Sequence, residues 1–424
     1  MRKYARYKDS GISWIGEVPE HWETKRVGAY FNENKALNKD FIFKKAYQFK
    51  FGSLVLKNEL GDEREYEDTY VKYTVLNEND IVFNGLNLNY DFVSQRVAIC
   101  PAPGIITSAY IAMSPKNSID SMYYLWLFKT MDNKKMLHGM GSGIRLTLSF
   151  ADIKNQLIPI PPLSEQKAIA EYLDKKTAQI NELVSAKQKQ IELLKEYKQS
   201  VIANAVTGKI DERREKRKWK DSGISWIGKI PENWEIKRVA SFFDENKVLN
   251  KVFVFKKAYQ FKFGSLVMKN EVGDEKEYEE TYVKYTVLNK NDIVLNGLNL
   301  NYDFVSQRVA ICPAPGIITS AYIAMTPRKT VEAMYYLWLF KTMDNKKMLH
   351  GMGSGIRLTL SFSDMKNQRI PVPPLSEQKE IVAYIEKKVS SINSQILSIE
   401  KQIANLNEYK QSLISDVVTG KVKV

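Results

Sequence analysis

Apolar side chains in the last stretch of the chain fall at Ile385, Val389, Ile392, Ile396, Ile399, Ile403 and Leu406, an alternation of four and three residues. That spacing lays a narrow apolar seam along one face of an α-helix, suited to a partner helix. Residues 164–209 carry the same rhythm at Leu173, Thr177, Ile180, Val184, Lys187, Ile191 and Leu194, with a lysine in the middle of the seam. Ser164 follows Pro162 as an expected N-cap, and neither Gly nor Pro interrupts the stretch until Gly208. At 1.5 Å per residue each helix would span about 60 Å, too long and too thinly apolar to stand alone. The two are expected to pair as an antiparallel coiled coil through Ile180, Val184, Lys187, Ile191 and Leu194 on one side and Ile392, Ile396, Ile399, Ile403 and Leu406 on the other. The competing arrangement has each helix packed only on its own preceding domain.

Upstream of each helix the rhythm changes. "YTVLN" (73–77), "DIVFNG" (80–85), "VAIC" (97–100) and "GIITSAYIAM" (104–113) are short, rich in β-branched residues and bounded by Asn, Asp, Gly and Pro, which predicts strands. "MYYLWLFKTMDNKKML" (122–137) has helical spacing, its Met and aromatic stripe reading as core. Asn-rich "NGLNLNYD" and Gly-rich "HGMGSGIR" (138–145) read as loops.

Every one of these signals recurs 212 residues later, without insertion or deletion, in a chain of 424 residues. "GISWIG" at 11–16 and 223–228, followed by "EVPEHW" and "KIPENW", opens each copy. A period this long makes each copy domain-sized. Residues 41–150 differ from 253–362 at 14 of 110 positions, and 84–113 is identical to 296–325. Residues 164–209 differ from 376–421 at 22 of 46 positions, although "PPLSEQK", "EYKQS" and "VTGK" persist. The expected fold is therefore α+β. Two tandem mixed α/β domains, 1–163 and 210–375 (the second opening with a basic connector, 210–219), are each followed by a long helix, 164–209 and 376–424.

Composition narrows the function. With 44% hydrophobic and 26% charged residues the chain is a folded protein and not a disordered one. It has no apolar run long enough to span a membrane, and its opening residues do not form a signal peptide, so the expected location is the cytoplasm. The net charge of +14 favours polyanionic partners, nucleic acid first. Cys100 and Cys312 occupy one position in the two copies and read as buried small apolar residues.

Catalytic signatures do not emerge. "GMGSG" follows a helix and lacks the strand, helix and acidic residue of a dinucleotide fingerprint, and "VTGK" lacks the rest of a phosphate loop and sits where Gly208 and Gly420 would cap helices. "IPPL" and "VPPL" have the wrong flanks for the motif with which amino-methyltransferases hold a flipped adenine. His21, His138 and His350 are not at metal-ligand spacing from one another or from a cysteine.

"KDSGISWIGEVPEHWE", "NDIVFNG", "GSGIRLTLSFADIKNQLIPIPPLSEQKAIAEYLD" and "KQKQIELLKEYKQSVIANAVTGKI", in this order in the first copy and with close counterparts in the second, resemble the specificity subunit of type I restriction-modification systems. The resemblance covers essentially the whole chain. It implies two target-recognition domains that each read half of a two-part site in double-stranded DNA, helices acting as spacers, and no catalysis by this chain. Catalysis would belong to methyltransferase subunits, two of them, with S-adenosylmethionine bound there, and to restriction subunits. Members of the family commonly pair dissimilar recognition domains, so two near-identical ones imply an inverted-repeat target. A stand-alone scaffold binding nucleic acid nonspecifically and a self-sufficient methyltransferase are the alternatives.

The family supplies no shared base-reading motif, so DNA contacts are expected from side-chain chemistry. Arg and Lys reach guanine, Asn and Gln reach adenine, and Lys holds phosphate. The candidates are Asn87, Asn89, Tyr90, Gln95, Arg96, Lys134, Lys135 and Arg145, with counterparts Asn299, Asn301, Tyr302, Gln307, Arg308, Lys346, Lys347 and Arg357. Arg96 and Arg308 are expected to read bases, Lys134 and Lys346 to hold phosphates. In a homodimer of 1–212, two copies of Lys187 are expected to meet near the helix crossing, at a cost of about 1–3 kcal/mol.

Overall fold

The computed structural model describes residues 2–424 except 59–65, 90–94, 117–118, 142, 144–145, 211–216, 271–274, 302–306, 354 and 356–357. Two compact units emerge, and they do not follow the repeat boundaries. One comprises Met1–Lys187 with Glu400–Val424, the other Gln188–Ile399. Each therefore holds one front domain, the start of the helix that follows it, and the end of the other copy's helix.

In the first unit a four-stranded antiparallel sheet runs in the order Phe31–Asn34, Ile111–Pro115, Ile81–Phe83, Val97–Ile99. Smaller antiparallel pairs surround it: Tyr7–Ile12 with Gly16–Pro19, Glu23–Arg26 with Leu157–Ile160, Thr74–Leu76 with Gly104–Ile106, and the hairpin Tyr47–Lys50 with Ser53–Leu56. The sequence stretch 104–113 thus splits into two strands, in different sheets, around a turn. Helix Ser121–Asn133 lays Tyr123, Tyr124, Leu127, Phe128 and Met131 into the main core beside Phe31, Phe83 and Val97. The second unit repeats this plan around Tyr335, Tyr336, Leu339, Phe340 and Met343.

"GISWIG" is a bulged hairpin turn. Gly11 and Gly16 have φ of 67° and 71°, a region that side chains with a Cβ resist. The carboxylate of Asp9 accepts from the Gly11 N–H at 3.0 Å and the Ser10 hydroxyl accepts from the Ile12 N–H at 3.0 Å. The tryptophan that follows is the anchor of the unit. Trp22 is fully buried, and its indole N–H donates to Glu165, in the first turn of the first long helix, at 2.9 Å. Gln166 beside it bridges the carbonyl of Pro161 and the amide of Asp120, each at 2.8 Å. The other edge of Trp22, with Pro19, covers Gly420 so closely that a Cβ there would overlap Pro19 and crowd the ring. The Tyr123 hydroxyl donates to the Val418 carbonyl at 2.8 Å, satisfying one of the orphan acceptors at a helix C-terminus. In the second unit Trp234 donates to Glu377 at 2.9 Å and covers Gly208 with Pro231, and Tyr335 donates to the Val206 carbonyl at 2.8 Å. Each front domain thus grips the start of its own helix and the "VTGK" end of the other copy's helix.

The long helices run Leu163–Val206 and Leu375–Val418. Each starts one residue before the predicted boundary, so Ser164 lies inside the first turn and does not cap it. Gly208 and Gly420 end them with φ of 79° and 74°, as C-caps. In the first unit Lys410 donates to Asn181 at 2.9 Å and Lys187 to Gln402 at 2.6 Å, so one helix descends as the other climbs. In the second, Lys198 donates to Asn393 at 3.1 Å. The seam residues behave as their spacing predicts: Leu173, Thr177, Ile180, Ile191, Ile385, Ile392, Ile396 and Ile399 are buried, while Val184, Lys187, Leu194, Val389, Ile403 and Leu406 are half-buried. No described helix is long and apolar enough to cross a membrane.

The pairing corrects the expectation for Lys187. Its partner Gln402 is the counterpart of Gln190, so in a 1–212 homodimer built the same way each Lys187 would reach Gln190 of the other copy, not its own twin. What remains against that homodimer is the thinner seam, Thr177 and Lys187 where the second helix has Val389 and Ile399. Sedimentation of 213–424 should show tighter self-association than 1–212, with Lys187→Ile recovering part of the gap; equal association would show that the seam does not set dimer strength.

Glu165 generates a second prediction. Burial pushes its pKa up, but hydrogen bonds from Trp22, His21 and Tyr4 outweigh that and hold it below the ordinary value. A depressed carboxyl contributes stability above its unfolded pKa and loses it as the pH falls through the folded one. Melting temperatures measured from pH 7 down to 3 should fall on the acid side less steeply for Glu165→Gln than for the parent; parallel curves would remove Glu165 from the acid response.

Candidate nucleic-acid interface

The loop after strand Ile81–Phe83 is built around Arg96. Its guanidinium is buried, 1% exposed, and donates to the carbonyls of Asn84 at 3.0 Å, Leu86 at 2.7 Å and Asn87 at 3.3 Å. Its amide donates to the buried carboxylate of Asp132 at 2.7 Å. Arg308 repeats this with Asn296, Leu298, Asn299 and Asp344. Both arginines, expected to read bases, instead hold the loop from inside, because three converging backbone carbonyls supply the acceptors a buried guanidinium needs. Burial pushes the Asp132 and Asp344 carboxyls up, against the lowering effect of the arginine amides and guanidinium groups.

The same loop is laced to the glycine-rich segment. Leu148 donates to the Gly85 carbonyl at 2.9 Å, Leu88 donates to the Leu146 carbonyl at 3.3 Å, and Leu88 is fully buried. Two loops well separated in sequence thereby become one surface. On it Asn87 and Gln95 are exposed and Asn89 half-exposed, and Asn299, Gln307 and Asn301 match them. Asn87 and Asn299 both have φ of 52°, a left-handed conformation that asparagine tolerates. Lys134 and Lys135 stand exposed at the end of helix Ser121–Asn133, with Lys134 Nζ 6.0 Å from the ring of Trp14, and Lys346 and Lys347 are exposed likewise. Tyr90, Arg145, Tyr302 and Arg357 lie outside the described residues.

A cleft of about 450 Å³ opens beside this surface in the first unit, lined by Gln95, Trp126, Lys129 and Asp132 and by Asn181, Asn407 and Lys410 of the paired helices. The second unit has its counterpart of about 210 Å³ at Gln307, Trp338, Lys341, Asp344, Lys198 and Asn393. Among the described residues no group of His, Cys, Asp and Glu is arranged to hold a metal ion. Cys100 and Cys312 are buried, each thiol donating to a backbone carbonyl at 3.0 Å, with burial pushing them up to about 11 and about 12. Sequence reasoning missed Trp22, Glu165, Gln166 and Tyr123 with their counterparts, although their motifs were visible as strings kept in both copies.

Arg96→Ala should strand the three loop carbonyls while leaving the backbone amide that Asp132 holds, destabilising the first unit by about 3 kcal/mol. Urea unfolding measures this, and a loss below about 1 kcal/mol would mean that the loop is held by other contacts.

The sequence profile of the type I restriction modification DNA specificity domain matches residues 19–193 and again 231–403. The specificity subunit of the type I restriction enzyme MjaVIII from Methanocaldococcus jannaschii is 26% identical over 96% of this chain and 94% of its own length. A chain solved in work on complex assembly and conformational transition of the type I R-M system superposes with a TM-score of 0.73 at 14% identity, over 96% of this chain and 99% of that one. The HsdS subunit from Thermoanaerobacter tengcongensis superposes with a TM-score of 0.55 at 14% identity, over 96% and 98%. Two profile matches that together span most of the chain, in register with its internal repeat, establish that this protein belongs to the type I restriction-modification DNA specificity family.

Proposed function

We propose that the chain reads a two-part DNA site whose halves are inverted repeats of one another, and that it positions separate methyltransferase and restriction subunits on that site. The observation that carries this reading is the identity of residues 84–113 and 296–325, which include all the Asn and Gln candidates of each copy. Two identical reading surfaces select two identical half-sites. An antiparallel pair of equivalent helices maps onto itself by a half-turn, and two readers carried on such a pair would meet the half-sites on opposite strands. The +14 charge supplies the sequence-independent attraction to phosphate. Base modification falls to the methyltransferase partners, which would bind S-adenosylmethionine and methylate one adenine in each half.

Methylation mapping of the host genome should return an interrupted palindrome with half-site centres about one helical turn, roughly 10 bp, apart. Two unrelated halves would refute the proposal, and a direct repeat would refute the half-turn. Lys134→Ala together with Lys346→Ala should weaken specific and nonspecific DNA binding alike and flatten the salt dependence by about two ions. An unchanged slope in a titration over salt would take these lysines off the phosphates.

A further inference from the structure

The hairpin Tyr47–Lys50 with Ser53–Leu56 is closed by a two-residue turn, Phe51-Gly52, with Lys50 paired to Ser53. Both turn residues have positive φ, 44° and 72°. A tight hairpin turn of this kind favours Asn-Gly or Gly-Gly, because only residues tolerant of the left-handed region sit there without strain. The chain places a phenylalanine there instead, and leaves it 82% exposed. The second copy does the same: Phe263 has φ of 42° and is 79% exposed, with Lys262 paired to Ser265. An aromatic ring in strained backbone and in water, in both copies, serves neither the turn nor the core.

The position of the tip indicates what it meets. Gly52 lies directly over Gln95, and Gly264 over Gln307, so each tip borders the loop surface described above. In the second unit Lys341 donates to the Gly264 carbonyl at 3.0 Å. Lys50 and Ser53 at the two ends of the turn are exposed, as are Lys44 and Lys45 a few residues before it and Val55 and Leu56 on the returning strand. An exposed ring beside lysines, at the edge of a surface that presents Asn87 and Gln95, suits a polyanion with stacked flat bases.

We infer that Phe51 and Phe263 are wedges that insert between, or stack on, DNA bases at one step in each half-site, as apolar side chains do in proteins that unstack a duplex. The inference rests on the DNA-reading function proposed above.

The test uses the full chain without partner subunits, so that no methyltransferase flips a base. The probes are a duplex carrying the mapped motif with 2-aminopurine placed at successive positions, and a scrambled duplex. The wild-type chain should brighten 2-aminopurine at one step per half. The double variant Phe51→Gly, Phe263→Gly should lose that signal and bind the motif about 10-fold or more weakly. Its melting temperature should be unchanged or higher, because glycine relieves the strained φ. A variant that binds and unstacks as wild type overturns the inference and leaves the DNA-reading function standing. So does one that binds DNA normally but no longer captures methyltransferase subunits, which would assign the rings to a protein contact. A lowered melting temperature would make the rings structural. A wild-type chain that does not distinguish motif from scrambled duplex sinks the underlying function, and the inference with it.

Discussion

The structure depends on a buried indole gripped at both edges. Trp22 donates its N–H to Glu165 at the start of one long helix and lays its ring on Gly420 at the end of the other, and Trp234 does the same with Glu377 and Gly208. An indole contributes a large apolar area but carries a donor that must be satisfied when buried, and a helix C-terminus carries carbonyls that must be satisfied when covered. One arrangement meets both needs. The glutamate takes the indole N–H, the tyrosine hydroxyl takes the last carbonyl, and the glycine leaves room for the ring. A side chain at Gly420 or Gly208 would collide with Pro19 or Pro231 and crowd the tryptophan beside it, which accounts for "VTGK" persisting in both helices.

Around this shared clamp the two units differ in polar detail. Glu165 accepts from His21 at 2.6 Å and Tyr4 at 3.0 Å, whereas Glu377 pairs with Arg217 at 2.5 Å, Asn233 standing in the place of His21. Each solution supplies donors to a partly buried carboxylate, which would otherwise oppose folding. The helices have drifted in the same way: the seam keeps its period while its residues change, since any apolar side chain of suitable size fills such a seam. The front domains have drifted far less, and the loop around Arg96 shows why a substitution there has little room. Arg96 satisfies three carbonyls, Asp132 holds the Arg96 amide, and the loop is tied to Leu146 and Leu148. The exposed Asn87 and Gln95 are thus presented on a rigid base.

Local chemistry made part of this legible in advance. Hydrophobic period fixes a helix and its apolar face, so both long helices, their seams and their glycine ends followed from the chain itself, as did the short β-branched strands of the sheet. The repeat, the charge and the four motifs together determined the family. Arg96 was misassigned because an arginine between a polar loop and a strand gives no sign of being buried; only the convergence of Asn84, Leu86 and Asn87 on it supplies the acceptors that make burial tolerable. Phe51 sits in "YQFKFGSLV", where alternation suggests a strand interior, and only the pairing of Lys50 with Ser53 puts it at a tip. The units themselves were beyond local reading. That a front domain closes on the helix end of the other copy, some 400 residues away for Trp22 and Gly420, follows from which surfaces bury each other, and tertiary packing alone decides that.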